Sequence, residues 1–243
     1  MQPVIFITTD RRDGGPPTAG SRRVRPKRSE VWIGELYVEA VRTAGGIPLL
    51  VPPGASNTDE LLEMCDGVLL TGGHFDIHPE WYGQAVVARL DRVEKARTAV
   101  EIALAKGCLS RGIPVLGVCG GMQALAVAAG GQLIQDIGTQ VGSRIDHEQL
   151  SDPAEPWHKV RFTEAAHSIF GPVAHVNSTH HQAVADPGSL MVVGRSDDGL
   201  IEAIMGEPDE AFALGVQWHP ELLGDIRPYQ ALIDATHSEP HRP

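Results

Sequence analysis

Cysteine is scarce in this chain of 243 residues: there are three, Cys65, Cys108 and Cys119, odd in number and far apart. That spacing argues against a disulfide framework and suits a reducing compartment. Long apolar runs are missing as well. No stretch approaches the roughly 20 apolar residues of a membrane span. The first residues, running straight into Pro3-Val-Ile-Phe-Ile-Thr8, lack the basic-then-apolar layout of a leader, so none is expected. Together these absences lead to the expectation of a cytoplasmic chain with no membrane partner. Basic charge is in short supply: 20 Lys and Arg against 31 Asp and Glu give a formal net charge of −11, a poor match for a polyanion, so no nucleic-acid partner is expected. Internal repeats and domain-dividing linkers are absent too. The expectation is one domain over residues 1–243, with a disordered tail from about 237 to 243. Whether the chain is a monomer or a homodimer is left open.

What is present is the makeup of an ordinary globule, 42% hydrophobic and 21% charged. Residues 3–8 read as a strand. Ser29 can cap a helix on which Ile33, Leu36, Tyr37, Ala40, Val41 and Ala44 share a face, closed by Gly45-Gly46. Ile47 to Val51 is a second strand, and Asn57 with Glu60 reads as a capping box. Val68 to Thr71 is a third strand, and a helix covers about Leu90 to Arg111. This alternation predicts a parallel sheet with helices on both faces. After Asp136 the pattern shifts to shorter strands near Val160 and Val176, from Leu190 to Ser196 and from Leu200 to Met205, with Asp197-Asp198-Gly199 as a hairpin turn. A strand from Phe212 and a helix from about Asp225 to Ala235 follow. A basic stretch, Arg22 to Arg28, reads as a solvated loop or as a lid over an anionic substrate.

The chain is organised around Val115-Leu-Gly-Val-Cys119-Gly-Gly-Met-Gln123. A strand buried on both faces runs into a glycine turn and then an Ala-rich helix, leaving a thiol at the bend. This is the sulfur counterpart of the G-x-S-x-G nucleophile elbow, with Gly117 and Gly121 leaving room for the turn. The helix N-terminus favours a thiolate there. The plainer alternative is a small buried cysteine in a glycine turn. A cysteine nucleophile needs a base, and the base works better when a third group orients it. In His219-Pro220-Glu221, two residues apart in extended chain, imidazole and carboxylate project to the same side. His74, Asp76 and His78 alternate three possible metal ligands along one loop, but no fourth ligand of recognisable spacing stands near. Of His180 and His181, adjacent on an extended segment, one is expected to reach a ligand. Cys65 and Cys108 read as structural.

Gly117-Val-Cys119-Gly-Gly121-Met-Gln123 together with Trp218-His219-Pro-Glu221 resembles the class I glutamine amidotransferase fold. Ala44 to Pro52, Leu70-Thr-Gly-Gly73, Val176-Asn-Ser-Thr-His-His-Gln182 and Asp198-Gly-Leu-Ile-Glu-Ala-Ile204 resemble its γ-glutamyl-γ-aminobutyrate hydrolase branch, the C26 peptidases. The resemblance covers about residues 3–235. It implies a flavodoxin-like α/β fold, with a central mostly parallel sheet, helices on both faces and a small antiparallel portion. It also implies a Cys119-His219-Glu221 triad that hydrolyses a γ-glutamyl amide through a glutamyl thioester, as in polyamine catabolism. The N–H groups of Gly73 and Gly120 would form the oxyanion hole, and Gln123, His181 and Gly72 would bind substrate. No cofactor and no metal are implied. Gly120 stands where the branch often has Arg, which leaves the leaving amine undefined. The rival readings are a glutaminase subunit feeding ammonia to a separate synthetase, a catalytically silent binding protein on the same fold, and a metal hydrolase built on His74, Asp76 and His78.

Overall fold

The computed structural model describes residues 1–12 and 29–237; the basic stretch Arg22 to Arg28 and residues 238–243 of the tail lie outside the described residues. In the first half, β1 (Val4–Thr8) is followed by two short paired strands, β2 (Asp10–Arg12) and β3 (Glu30–Trp32). Then come α1 (Glu35–Thr43), β4 (Ile47–Val51), α2 (Thr58–Leu62), β5 (Gly67–Leu70), α3 (Lys95–Arg111), β6 (Val115–Val118) and α4 (Gly120–Ala128). The second half has β7 (Gln132–Ile134), α5 (Ile137–Gln140), β8 (His158–Phe162), α6 (His167–Phe170), β9 (Val173–Val176), β10 (Ala183–Asp186) and β11 (Met191–Ser196). It ends with β12 (Ile201–Met205), β13 (Ala213–Val216) and α7 (Arg227–His237).

The main sheet runs β4-β1-β5-β6-β13-β12-β11-β8-β9, with β10 and β7 attached beside β12. Its first five strands pair in parallel, and the strands beyond β13 pair antiparallel. This is the mixed α/β architecture expected. Strand alternation separates two cores. Phe6, Val68, Leu70 and Val115 pack on one face with α3 and α4 residues such as Leu104 and Leu125. Ile5, Ile7, Leu69, Leu116 and Val118 pack on the other with Tyr37 and Val41 of α1 and Leu232 and Ile233 of α7. Each such side chain taken from water contributes about 1.5–3 kcal/mol. Because β5 and β6 are covered on both faces, they read as unbroken apolar runs.

Three local expectations need correction. Ser29 does not cap a helix. Residues 30–32 pair antiparallel with 10–12, since β-branched Val31 and aromatic Trp32 favour extended chain and the Arg12 guanidinium lies 4.9 Å over the Trp32 ring. Asn57 sits at φ 61° and makes no side-chain cap bond; its amide reaches the Glu60 carboxylate at 3.3 Å instead. The third helix starts at Lys95, not Leu90, because the preceding residues are held as extended chain: the Asp91 N–H donates to Asp76 at 2.6 Å and Val93 bridges Asp76. The hairpin at 197–199 is present, with Gly199 at φ 92° joining β11 to β12. Among the described residues, no helix is long and apolar enough to cross a membrane.

Candidate active site

Parallel strands side by side bring their carboxyl ends to one edge, where open α/β sheets bind ligands. Here β5, β6 and β13 end beside one another, which delivers Gly72-Gly73, Cys119 and His219 to one place although they are distant in sequence. Cys119 takes φ 52° and ψ −110° between β6 and α4. A non-glycine residue in that region costs on the order of 1–3 kcal/mol and persists only where its surroundings enforce it. The enforcement is visible. The Cys119 N–H donates to the Val216 carbonyl at 2.8 Å. The glycines permit the close approach, since a Cβ on Gly117 would come 2.6 Å from the Gly121 carbonyl oxygen and one on Gly121 would overlap the Leu70 carbonyl.

Gly72 is the point of convergence. A Cβ there would stand 2.7 Å from His219 Cε1, 2.9 Å from the Tyr37 hydroxyl and 3.2 Å from Cys119 Cβ. His219 Nδ1 lies 2.6 Å from Glu221 Oε1. A carboxylate oxygen accepts, so Nδ1 carries the proton and Nε2 is left for other partners. Burial works against a charged ring, but the neighbouring Cys119 and Glu221 charges outweigh it and hold the His219 pKa well above its ordinary value. The second Glu221 oxygen accepts from the Tyr229 hydroxyl at 3.2 Å. The structure thus brings together the three residues the sequence singled out. Gly120 opens α4, where an N–H has no intrahelical acceptor, and a Cβ on it would meet the Phe75 ring at an ordinary 3.5 Å.

The other expected residues are distributed differently. Gln123 is buried, and its Nε2 donates to the Gln182 carbonyl at 3.1 Å and Gln217 Oε1 at 3.2 Å. The histidine pair does face opposite ways. His180 is buried with Nδ1 2.9 Å from the Gln182 carbonyl, whereas half-buried His181 lies 2.7 Å from Asp76. That hydrogen bond, opposed by burial and assisted by the Asp76 charge and then by Asp136, raises the His181 pKa to about 9. His74, Asp76 and His78 do not converge: Asp76 serves His181 and Asp91, and His78 Nδ1 accepts the Glu80 N–H. Among the described residues, the group able to hold a metal ion is His147, His158 and Glu202.

Three supporting residues went unread in the sequence. Tyr37, counted only as part of an apolar face, accepts the Gly72 N–H at 3.0 Å and lies 3.2 Å from His219 Nδ1. Arg97, 1% exposed, donates to the Thr71 and Gly72 carbonyls at 2.7 and 2.9 Å while pairing with Glu101 at 2.9 Å. It fixes the turn that carries Gly73. Asn177 clamps the His219 backbone, accepting its N–H at 2.8 Å and donating to its carbonyl at 3.0 Å. Of these, Asn177 alone carried a signal, through its place in the Asn-Ser-x-His-His-Gln stretch.

Comparison with known proteins points the same way. A model of the Peptidase C26 family matches residues 3–221. The chain is 40% identical over 207 residues to a Mycobacterium tuberculosis protein named "Putative glutamine amidotransferase", covering 82% of this chain and 66% of that protein, just under two thirds of its length. It is 33% identical over 200 residues to the gamma-glutamyl-gamma-aminobutyrate hydrolase PuuD of Escherichia coli K12, covering 77% of each. Among solved structures, the glutaminase domain of Trypanosoma brucei CTPS aligns with a TM-score of 0.61 over 100% of this chain and 97% of that one at 16% identity. At that identity the likeness bears on the fold alone.

Proposed function

We propose, from the premise that this chain belongs to the peptidase C26 family, that it hydrolyses a γ-glutamyl amide. The substrate is γ-glutamyl-γ-aminobutyrate or a related γ-glutamyl amine, and the products are glutamate and the free amine. The observation that carries this reading is the meeting of strained Cys119, Gly72 and the His219–Glu221 pair at adjacent strand ends.

In this mechanism the Cys119 thiol proton passes to His219 Nε2, the thiolate attacks the δ-carbonyl, and the N–H groups of Gly73 and Gly120 stabilise the resulting oxyanion. His219, its Nδ1–H held by Glu221, gives its other proton to the departing amine as the C–N bond breaks. This leaves a glutamyl thioester on Cys119. His219 then takes a proton from water, which attacks the thioester and releases glutamate. Gln123, His181 and Gly72 border the glutamyl group, whose α-amino and α-carboxylate groups need both acceptors and donors. Tyr37, Asn177 and Arg97 act as positioning residues.

The test is a panel of γ-glutamyl amides scored by free glutamate. Turnover of at least one amine conjugate, absent in Cys119→Ala, is the expected result; failure of every amide, or an unchanged rate in that variant, overturns it. A second reading, glutaminase activity serving a separate synthetase, is favoured by the name of the mycobacterial relative. It predicts that glutamine exceeds every amine conjugate in kcat/KM.

A further inference from the structure

Beside the cleft, where β12 starts against the end of β13, four buried side chains from four segments converge. His147 lies in the loop before β8, His158 opens β8, His180 follows β9 and Glu202 sits on β12. Their side chains are 1%, 4%, 3% and 0% exposed. Glu202 Oε1 stands 3.4 Å from His147 Nδ1, 3.5 Å from His158 Nε2 and 3.8 Å from His180 Nε2. These separations exceed the range of a hydrogen bond from a ring nitrogen. His158 Nε2, His180 Nε2 and both Glu202 oxygens are buried without a hydrogen-bond partner.

The far side of each ring fixes what the near side presents. His147 Nε2 is 3.0 Å from Asp198 Oδ2, His158 Nδ1 is 3.3 Å from the Lys159 carbonyl and His180 Nδ1 is 2.9 Å from the Gln182 carbonyl. Carboxylate and carbonyl oxygens only accept, so each of those nitrogens carries the ring proton. Each opposite nitrogen therefore offers a lone pair toward Glu202. Three lone pairs and a carboxylate face one another, and acceptors so arranged repel unless a cation lies between them. The Ser178 hydroxyl, 3.1 Å from His147 Nδ1, can donate to that nitrogen alone. A proton on Glu202 could serve one imidazole of the three.

We propose that His147, His158 and Glu202 bind one divalent transition-metal ion, zinc by the nature of its donors, with the His180 ring packed beside them, as a structural site bordering the Cys119 cleft. Tetrahedral zinc with metal–ligand distances near 2.0–2.1 Å has neighbouring ligand atoms about 3.3–3.4 Å apart, close to the two shorter separations above. The far-side oxygens match the shell that orients metal-bound histidines, with Asp198 behind His147 as a carboxylate–histidine–metal relay. The ion joins β12 and the start of β8 to the loop of His147, whose carbonyl accepts the His180 N–H of a second loop at 2.9 Å. One of those loops carries Asn177, which clamps His219. The metal holds that frame and takes no part in the thiol chemistry.

Elemental analysis of the full chain, expressed with zinc and purified without a histidine tag or chelator, tests this directly. The expected content is about one zinc per chain. Dialysis against a strong chelator should lower Tm, and added zinc should restore it. Glu202→Gln should retain less than about a tenth of the metal, and Asp198→Asn should bind zinc about 10–100-fold more weakly. If Glu202→Gln fails to fold, the chelation and re-addition arms on the unaltered chain still decide the matter. Wild-type protein with negligible metal and a Tm indifferent to zinc overturns the proposal, as does a folded Glu202→Gln that keeps a full equivalent.

Discussion

Glu221 and Glu202 are both buried, both face histidine, and lie near the ends of the neighbouring strands β13 and β12, yet their surroundings differ in kind. Glu221 receives an N–H at 2.6 Å and an O–H at 3.2 Å. Glu202 receives none, and the three ring nitrogens around it stand at 3.4, 3.5 and 3.8 Å. A buried carboxylate must be matched, because leaving its charge bare is costly. Hydrogen-bond donors match it in the first region, an arrangement suited to moving a proton. In the second region every ring presents an acceptor, an arrangement suited to holding a cation in place.

The largest effect is expected at the sulfur. Cys119→Ala should cut turnover by about 10⁴-fold or more while leaving circular dichroism and metal content unchanged. Glu221→Gln comes next, with kcat down about a hundredfold or more. It should also move the alkaline limb of the rate profile to lower pH. Glu221 helps hold the His219 pKa up, so removing its charge lets the imidazolium deprotonate earlier, which a pH–rate series would register. This variant should keep its zinc, whereas Glu202→Gln should lose zinc and keep the triad. A pair of variants behaving alike in both assays would erase the distinction between the two regions.

Smaller effects sharpen it. Tyr37→Phe removes the acceptor for the Gly72 N–H and a neighbour of His219 Nδ1, and kcat should fall about tenfold with KM little changed, as expected for lost positioning. His181→Gln should cost about 1 kcal/mol, modest because the partly exposed ring is screened by solvent. The His181 pKa is raised in the folded chain to about 9, so its contribution is fully present below about pH 6.5 and fades as pH rises through about 9. Denaturant unfolding of both proteins across that window should show the difference closing.

The elbow was legible because its chemistry is local: a buried strand, glycines at fixed offsets and a helix form one continuous segment. His219 and Glu221 were legible because two positions along extended chain share a side. The alternating strands and helices of the first half were legible for the same reason, since each is a short-range pattern. Tyr37 and Arg97 were not. A tyrosine on an apolar helix face reads as core and an arginine on a helix reads as solvated; only the packing of α1 and α3 against the β5 turn gives them their partners. The region around Glu202 was invisible for a related reason. Its histidines stand at positions 147, 158 and 180, with no ligand spacing, and the antiparallel half of the sheet alone brings them together. His74, Asp76 and His78 had the better spacing and do not converge. Ser29 failed as a helix start because the pairing of 30–32 with 10–12 is long-range.

The central claim is that Cys119 carries the glutamyl group between the two halves of the reaction. Acid quenching during turnover of a γ-glutamyl amide, followed by peptide mass mapping, observes that intermediate directly. A mass gain of one glutamyl group on the peptide containing Cys119 is the expected result; the same gain on any other residue would overturn that role for Cys119.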